Sequence, residues 1–502
     1  MEESHKAPGT RGGTPAPPSY AGRAVTVMGL GLFGGGVGAA RYLARVGARV
    51  TVTDLKPAAS LRPSLKALEG LPIAFHLGGH MAKDFRGADL VVVSPAVDKR
   101  RSKFVALAQA DGAEITSEMN LFFAAFPVAR IVGVTGTSGK STTTALVGDM
   151  LRAWRPTRVG GNIGRSLLED LPKIQPDETV VLELSSFQLE DLGRLRCSPR
   201  VAIVTNISPN HLDRHETMRR YIAAKKNIVR FQGPGDVAVL NADDPRVRRW
   251  EGLVRRCGSR AVFYSARRAL DEGAFADGAT IVLRLDGRED RVDLAGRNPL
   301  FGRHNLQNIL AAAAGARALG VPPDLVGGAV ASFRPLPHRL EPIGRLGDVL
   351  FVNDSKATTP LAAKVAIEAF DRPVVVIAGG YDKHADPSPM VRAIRRRALA
   401  AVLIGATARA LQKAIGRSRE ARQPARGGFA LGEGGSGRPA VERARTLEEA
   451  VRRAAALARP DGVVLLSTGH ASWDMFDNYE QRGEVFRRAA VGLGMRPLEK
   501  RG

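Results

Sequence analysis

The sequence predicts an α/β protein of three domains, and three observations carry that reading. The chain has 502 residues, and at about 150 residues per domain that length suits roughly three. A strand-then-helix pattern starts afresh near residues 24, 130 and 337. Two of these starts run through glycine-rich loops. Alternating strands and helices give mostly parallel sheets covered on both faces.

The elements follow in order. Residues 1–22 are rich in Pro, Gly and Ser and read as a disordered tail. The first domain, 23–127, opens with strand Ala24–Met28, the loop Gly29-Leu30-Gly31-Leu32-Phe33-Gly34, a helix and strand Arg49–Asp54. A further apolar strand, Asp89–Ser94, belongs with it. This is a Rossmann-like β-α-β unit, with Asp54 twenty residues past the last glycine. Its glycines allow backbone N–H groups to approach an anionic group closely. The pattern fits any nucleotide diphosphate and does not by itself select NAD.

The second domain, 128–336, starts with the strand Arg130–Thr135 and the run Gly133-Val-Thr-Gly136-Thr137-Ser138-Gly139-Lys140-Ser141-Thr142. This is a phosphate loop in a P-loop ATPase-type parallel-sheet domain, with Gly136 in place of the more usual glycine at 134. Its N–H groups cradle phosphates, Lys140 neutralises their oxygens and the Ser141 hydroxyl suits Mg²⁺. Strands are expected at 179–185, 200–207 and 236–241, and a hairpin at 280–296 around Asp286-Gly287-Arg288. The third domain, 337–502, has strands at 348–353, 373–378, 400–404 and 462–467, with a low-complexity surface insertion at 415–441.

Strand 179–183 ends in Glu183, a carboxylate placed to hold Mg²⁺ beside the phosphate loop. The strand-end loop Asn206-Ile-Ser-Pro-Asn210-His211-Leu-Asp213-Arg214 gathers a His, an Asp and two Asn. From pattern alone Lys225, in Tyr221-Ile-Ala-Ala-Lys225, reads as a solvated helix lysine.

Composition narrows the class. There are 74 Lys and Arg against 50 Asp and Glu, a formal charge of +24. The cations are scattered arginines on helix surfaces, and only 5% of residues are aromatic, so no specific nucleic-acid partner is expected. No apolar run is long enough for membrane insertion. Residues 1–22 carry no leader-like apolar core, and the two cysteines form neither a disulfide framework nor a zinc motif. A cytoplasmic protein is expected.

Taken together, the phosphate loop, Glu183-Leu-Ser-Ser-Phe-Gln-Leu-Glu190, Asn206–Arg214, Tyr221-x-x-Ala-Lys225, His304-Asn305-x-x-Asn308, Pro337-His338-Arg339-Leu-Glu341 and Asn353-Asp354-Ser355-Lys356-Ala357-Thr358 resemble the Mur ligases, in family order over about residues 23–492. Several versions are similar to those of the branch that adds D-glutamate. The resemblance implies domains for a UDP-sugar, for ATP and for an amino acid; the third would also be Rossmann-like. It implies the substrates UDP-N-acetylmuramoyl-L-alanine and D-glutamate, the cofactors ATP and Mg²⁺, and a monomer.

Residue by residue, it implies that Gly31, Leu32 and Phe33 lie at the UDP diphosphate and Asp54 at the uracil. Asn162, Ser185, Gln188 and His211 would contact the rest of that substrate. Lys225 would be carbamylated, turning a cation into an oxygen ligand. His211 and Lys225 would hold one Mg²⁺, and Ser141 and Glu183 the other. The loop Gly136–Thr142 with Asn305, Asn308, Arg339 and Asp354 would hold ATP. Lys356, Thr358, Ser472 and Tyr479 would hold glutamate, and Lys383 would reach the transferred phosphate. The substrate carboxylate would be phosphorylated by ATP and then captured by the amine of glutamate.

Some residues depart from the pattern. Phe33 stands where a small hydroxyl residue is frequent. The run Ser467-Thr-Gly-His470-Ala-Ser472-Trp473-Asp474 replaces Ser-Pro-Ala-Cys-Ala-Ser, and Tyr479 replaces a Phe. Another Mur-type amino-acid ligase is therefore the alternative reading. An NAD-dependent oxidoreductase or a basic nucleic-acid binder is a more distant one. Replacing Lys140 with Ala is expected to lower the rate of orthophosphate release by about 10²–10³-fold, as for other single charge-stabilising groups.

Overall fold

In the computed structural model, residues 18–32, 34–163, 166–175, 177–296, 298–416, 439–458 and 460–498 are described. Phe33, residues 1–17 of the expected tail and 417–438 of the expected insertion lie outside them.

Strand Ala24–Met28 is the centre of a five-stranded parallel sheet. On one side lie Arg49–Asp54 and Ile73–Leu77, on the other Leu90–Val93 and Glu114–Thr116. Strand order reverses at Ala24–Met28, and in such sheets the ligand crevice opens where the order reverses, outside the carboxyl ends of the strands. The glycine loop starts there, and Ser94 follows the neighbouring strand. A Cβ on Gly29 would come within 2.8 Å of Ser94 Cβ. Helix Gly35–Arg45 then leaves the loop and covers the sheet with Val37, Ala39, Ala40 and Leu43.

The second sheet has nine strands. Thr157–Gly161, Thr179–Glu183, Ile131–Thr135, Val201–Val204, Val237–Asn241, Arg260–Ser265 and Gly273–Asp277 run parallel. Thr280–Leu285 and Arg288–Asp293 extend the sheet as the expected antiparallel hairpin. Its turn residues Asp286 and Gly287 both have positive φ, 56° and 72°, the geometry that favours Asp-Gly in two-residue hairpins. In the middle of the sheet Val134 pairs with Glu183 and Thr135 with Val204, so three strands end side by side. Their apolar residues are fully buried, as expected for parallel strands covered on both faces.

The third sheet has seven strands: Ala440–Arg443, Ala398–Ile404, Val374–Gly379, Val463–Leu466, Val349–Asn353, Glu341–Leu346 and Arg496–Pro497. The last two pairings are antiparallel and the others parallel. The first two sheets share one compact unit; the third, with Gly296–Leu306 and the chain from Ala331 onward, forms another.

Two expectations at segment edges change. Tyr20, placed in the tail, is buried edge-on against Tyr42 at 6.2 Å, and Gly22 N–H bonds to Gly47 O at 2.8 Å. Ile415 is buried in helix Ala408–Gly416, and Ala440 belongs to an edge strand, so both ends of the low-complexity stretch lie in regular elements. At Tyr20 and Ile415 a buried apolar side chain outweighs the surrounding composition.

Gly36, at the first turn of its helix, leaves no room for a side chain: a Cβ there would collide with Leu30 O and lie 2.6 Å from Gly29 O. Gly36→Ala is expected to lower stability by about 1–3 kcal/mol, the usual range for overpacking, read as a lower urea midpoint.

Candidate active site

The phosphate loop is shaped by its neighbours on the sheet. Gly136, at φ +152°, sits so close to the next strand that a Cβ would collide with Thr205 Oγ1. Thr137 N–H bonds to Asn206 O at 2.8 Å, and Ser138 N–H to Asn206 Oδ1 at 3.0 Å. Ser138 O accepts from both Thr205 Oγ1 and Asn206 Nδ2. Gly139, left-handed at φ +83°, caps helix Lys140–Arg152, and a Cβ there would collide with Asn308 Oδ1. Thr143 Oγ1 donates to that same Asn308 oxygen at 3.3 Å. Ser141 and Thr142 begin the helix, where N–H groups and the dipole favour an anion. Lys140 Nζ donates to Thr137 O at 3.1 Å, across the loop it would serve.

Lys225 lies beneath this loop. The solvated position suggested by pattern is overturned: the residue is 2% exposed. Its Nζ donates to Gly136 O at 2.8 Å and Thr135 Oγ1 at 3.1 Å. Helix Met218–Arg230 carries it inward beside Tyr221, whose hydroxyl meets Thr137 Oγ1 at 3.0 Å. Burial pushes the ammonium well below the ordinary lysine range; Lys140 adds to that, and Glu183 opposes it. Burial thus disfavours the charged form of this amine.

Glu183 ends its strand beside the loop and is buried. Asn162 donates to its Oε1 at 3.1 Å, while Oε2 has no hydrogen-bond partner among the described residues. The peptides cross as well, with Asn162 N–H on Glu183 O at 2.8 Å. Ser185 and Gln188 form a reciprocal capping box at the start of helix Ser186–Leu195, with bonds of 3.2 and 2.9 Å. Both side chains therefore have a local job at the place where substrate contacts were expected.

His211 adopts a left-handed backbone, φ 52°, and meets Phe187 edge-on at 5.2 Å. Partial burial lowers its pKa; Asp213 opposes this, and Lys140, Lys225 and Arg214 reinforce it. His215, which pattern reasoning did not single out, is buried and stacks flat on Phe187 at 5.0 Å. Its Nε2 bonds with Ser186 Oγ at 2.9 Å, and burial lowers its pKa to about 4.

In the first sheet both oxygens of Asp54 hold backbone: Gly31 N–H at 3.0 Å and Lys56 N–H at 2.8 Å. Ser64 Oγ donates to Gly31 O, and Leu32 is exposed at the tip. Asp54 thus clamps the glycine loop, independently of any role toward a base.

The second compact unit gathers its own set. Asp354 accepts from Leu340 N–H at 3.1 Å and Ser467 Oγ at 2.8 Å, and burial raises its pKa to about 7. Lys356, two residues on, is exposed and places Nζ 5.1 Å from the Tyr479 ring. Tyr479 O accepts from Ser355 Oγ at 2.8 Å. Thr358 is half-buried, and Ser472 is buried at the turn leading to Trp473. Lys383 Nζ lies 4.2 Å over the exposed Trp473 ring. Asn305 donates to Phe301 O at 2.9 Å, and Arg339 lies half-buried beside His338. Arg482 lies in the run Asn478-Tyr479-Glu480-Gln481-Arg482-Gly483, which resembles the family's, but neither pattern nor resemblance gave it a role. It is 1% exposed and holds Ser355 O at 2.7 Å, Ser355 Oγ at 2.9 Å and His470 O at 3.2 Å.

Comparison with known proteins decides the family. The descriptions "Mur ligase MurD-like, N-terminal domain", "Mur ligase middle domain" and "Mur ligase, glutamate ligase domain" match residues 23–117, 134–316 and 338–469. A UDP-N-acetylmuramoylalanine–D-glutamate ligase of Roseiflexus sp. (strain RS-1) is 45% identical over 476 residues, covering 93% of this chain and 98% of that protein. The chain belongs to the Mur ligase family. A Pelotomaculum thermopropionicum protein of the same name is 38% identical over 93% of the chain and 97% of its own length. Among solved structures, the UDP-N-acetylmuramate–alanine ligase of Thermotoga maritima aligns over 94% of this Mur ligase and all of its own chain, with TM-score 0.56 at 19% identity. A pseudomurein peptide ligase type C from Methanothermus fervidus gives 0.53 at 19% identity, covering 94% of this chain and all of its own. These two share the fold.

His215 gives this Mur ligase a pH signature. Its folded pKa is about 4 against the ordinary 6.5, so the unfolded chain takes up the proton first as pH falls. The stability held by the neutral ring is complete above about 6.5 and is lost as pH drops toward 4. The thermal midpoint of the wild type is expected to fall more steeply over that window than that of His215→Gln.

Proposed function

We propose that this Mur ligase adds D-glutamate to UDP-N-acetylmuramoyl-L-alanine, using ATP and Mg²⁺, as a cytoplasmic monomer in peptidoglycan precursor synthesis. The observation that carries most weight is the buried amine of Lys225, one hydrogen bond from the phosphate loop, in a chain aligned nearly end to end with D-glutamate ligases.

The donor set fits a divalent ion. No group of three His, Cys, Asp or Glu suited to a metal occurs among the described residues, so further oxygen ligands are required. The unpartnered Glu183 Oε2 is one buried acceptor, and the Ser141 hydroxyl stands in the first turn of the helix that follows the phosphate loop. Lys225, whose uncharged form burial favours, would add carbon dioxide at Nζ with release of a proton and become an anionic oxygen ligand; His211 would be the nitrogen ligand of that set. When bound, Mg²⁺ supplies positive charge to crowded phosphate and carboxylate oxygens.

The residues of the chain do the rest. The loop Gly136–Thr142 would cradle the phosphates through N–H groups other than those of Thr137 and Ser138, which Asn206 holds, and Lys140 would neutralise the oxygens on which charge develops as the substrate carboxylate attacks. Asn308, packed against Gly139, fixes the loop from behind. Asp54 shapes the glycine loop for the UDP diphosphate, and Asn162 is directed toward Glu183. In the second unit Lys356, Thr358, Ser472 and Tyr479 would receive glutamate, Lys383 the transferred phosphate, and Asn305, Arg339 and Asp354 the nucleotide. We further propose the division into domains at 23–127, 128–336 and 337–502.

The test is orthophosphate release with UDP-N-acetylmuramoyl-L-alanine, ATP and Mg²⁺ against a panel of amino acids. Release that depends on D-glutamate is expected. Release driven by L-alanine or a diamino acid, but not by D-glutamate, would replace the substrate assignment with another branch of the family.

A further inference from the structure

Arg214 occupies a place that neither the phosphate loop nor the glycine loop explains. Its Nη1 donates to Ala96 O and its Nη2 to Val97 O, each at 3.0 Å. Those carbonyls belong to the loop that leaves strand Leu90–Val93 through Ser94, the residue packed against Gly29 of the glycine loop. The same guanidinium lies 5.0 Å over the ring of Phe187, with Nε 3.8 Å from Asp98. Phe187 in turn meets His211 edge-on at 5.2 Å and His215 face to face. One contact chain therefore runs from the loop beside Gly29, through Arg214 and Phe187, to His211.

We infer that Arg214 is a positioning residue that ties the nucleotide-sugar loop of the first sheet to the orientation of His211, so that binding at one sets the geometry of the other. This rests on the substrate reading given above. A planar fork suits such a tie, because two parallel donors fix two successive carbonyls and the flat face remains for stacking. Lysine offers neither feature. Folding does not hang on this residue, because the Lys99–Asp191 and Arg100–Glu190 ion pairs join the same loop to the Phe187 helix independently.

The test compares full-length wild type, Arg214→Met, Arg214→Lys, Phe187→Leu and the double variant Arg214→Met/Phe187→Leu. Orthophosphate release is followed with each substrate varied in turn, and a thermal midpoint is taken for each protein. Arg214→Met is expected to lower kcat/KM for UDP-N-acetylmuramoyl-L-alanine at least about tenfold, the scale of one lost charge-assisted bond, with KM for ATP nearly unchanged. Arg214→Lys should not rescue it, and the double variant should lose little more than the worse single one. Wild-type kinetics in a folded Arg214→Met, full rescue by lysine, or an equal rise in KM for all substrates overturns the inference. A wild type that does not turn over sinks the functional reading instead. Calorimetric titration with UDP-N-acetylmuramoyl-L-alanine then decides the inference alone: weaker binding to Arg214→Met than to wild type supports it, and equal or absent binding overturns it.

Discussion

A primary amine buried beneath a phosphate loop is the constraint on which the rest of the central sheet depends. Lys225 has two hydrogen bonds, to Thr135 and Gly136, at the seam where strand becomes loop. Burying a charged ammonium there is costly, and that cost favours the uncharged form. The uncharged form is the one open to covalent change, and burial favours it where solvent would favour the ammonium. The surrounding residues are fitted to the position. Tyr221 braces Thr137, Thr205 and Asn206 hold Ser138, and Glu183 lies on the adjoining strand with one oxygen unsatisfied.

Parallel register produces this gathering. Ile131–Thr135, Thr179–Glu183 and Val201–Val204 are neighbours, so the residues following each strand emerge at one edge. Residues far apart in sequence are thereby set around a single loop: Lys140, Glu183, Asn206 and Lys225. The first sheet uses the same device at Gly29–Gly34 and Ser94, and the third sheet uses it to bring Asp354 to Ser467.

Much of this was legible in the sequence, for reasons that differ by element. Buried parallel strands such as Leu90–Val93 are continuous apolar runs, and the Asp286-Gly287 turn has one favoured geometry. Short or edge strands such as Glu114–Thr116 and Ala440–Arg443 carry mixed polarity and gave no signal. The phosphate loop announced itself because only glycines fit at 136 and 139. Lys225 did not, because helix periodicity at an alanine-rich turn cannot tell which face meets the sheet; family resemblance located it instead. His215 and Arg482 were given no role by either route, although Arg482 lies in the family-like run Asn478–Gly483. Each is a polar residue whose burial depends on partners brought from elsewhere in the chain: Phe187 and Ser186 for one, Ser355 and His470 for the other.

The capping box at Ser185 and Gln188 has an evolutionary corollary. The same side chains that start a helix stand where a ligand was expected, so on the proposed substrate contact drift at either position would be opposed twice: once by the folding of the helix and once by turnover. Conservative exchanges such as Ser185→Thr, which keep the cap while altering the outer surface, are the substitutions through which a lineage could retune its substrate without first losing the helix.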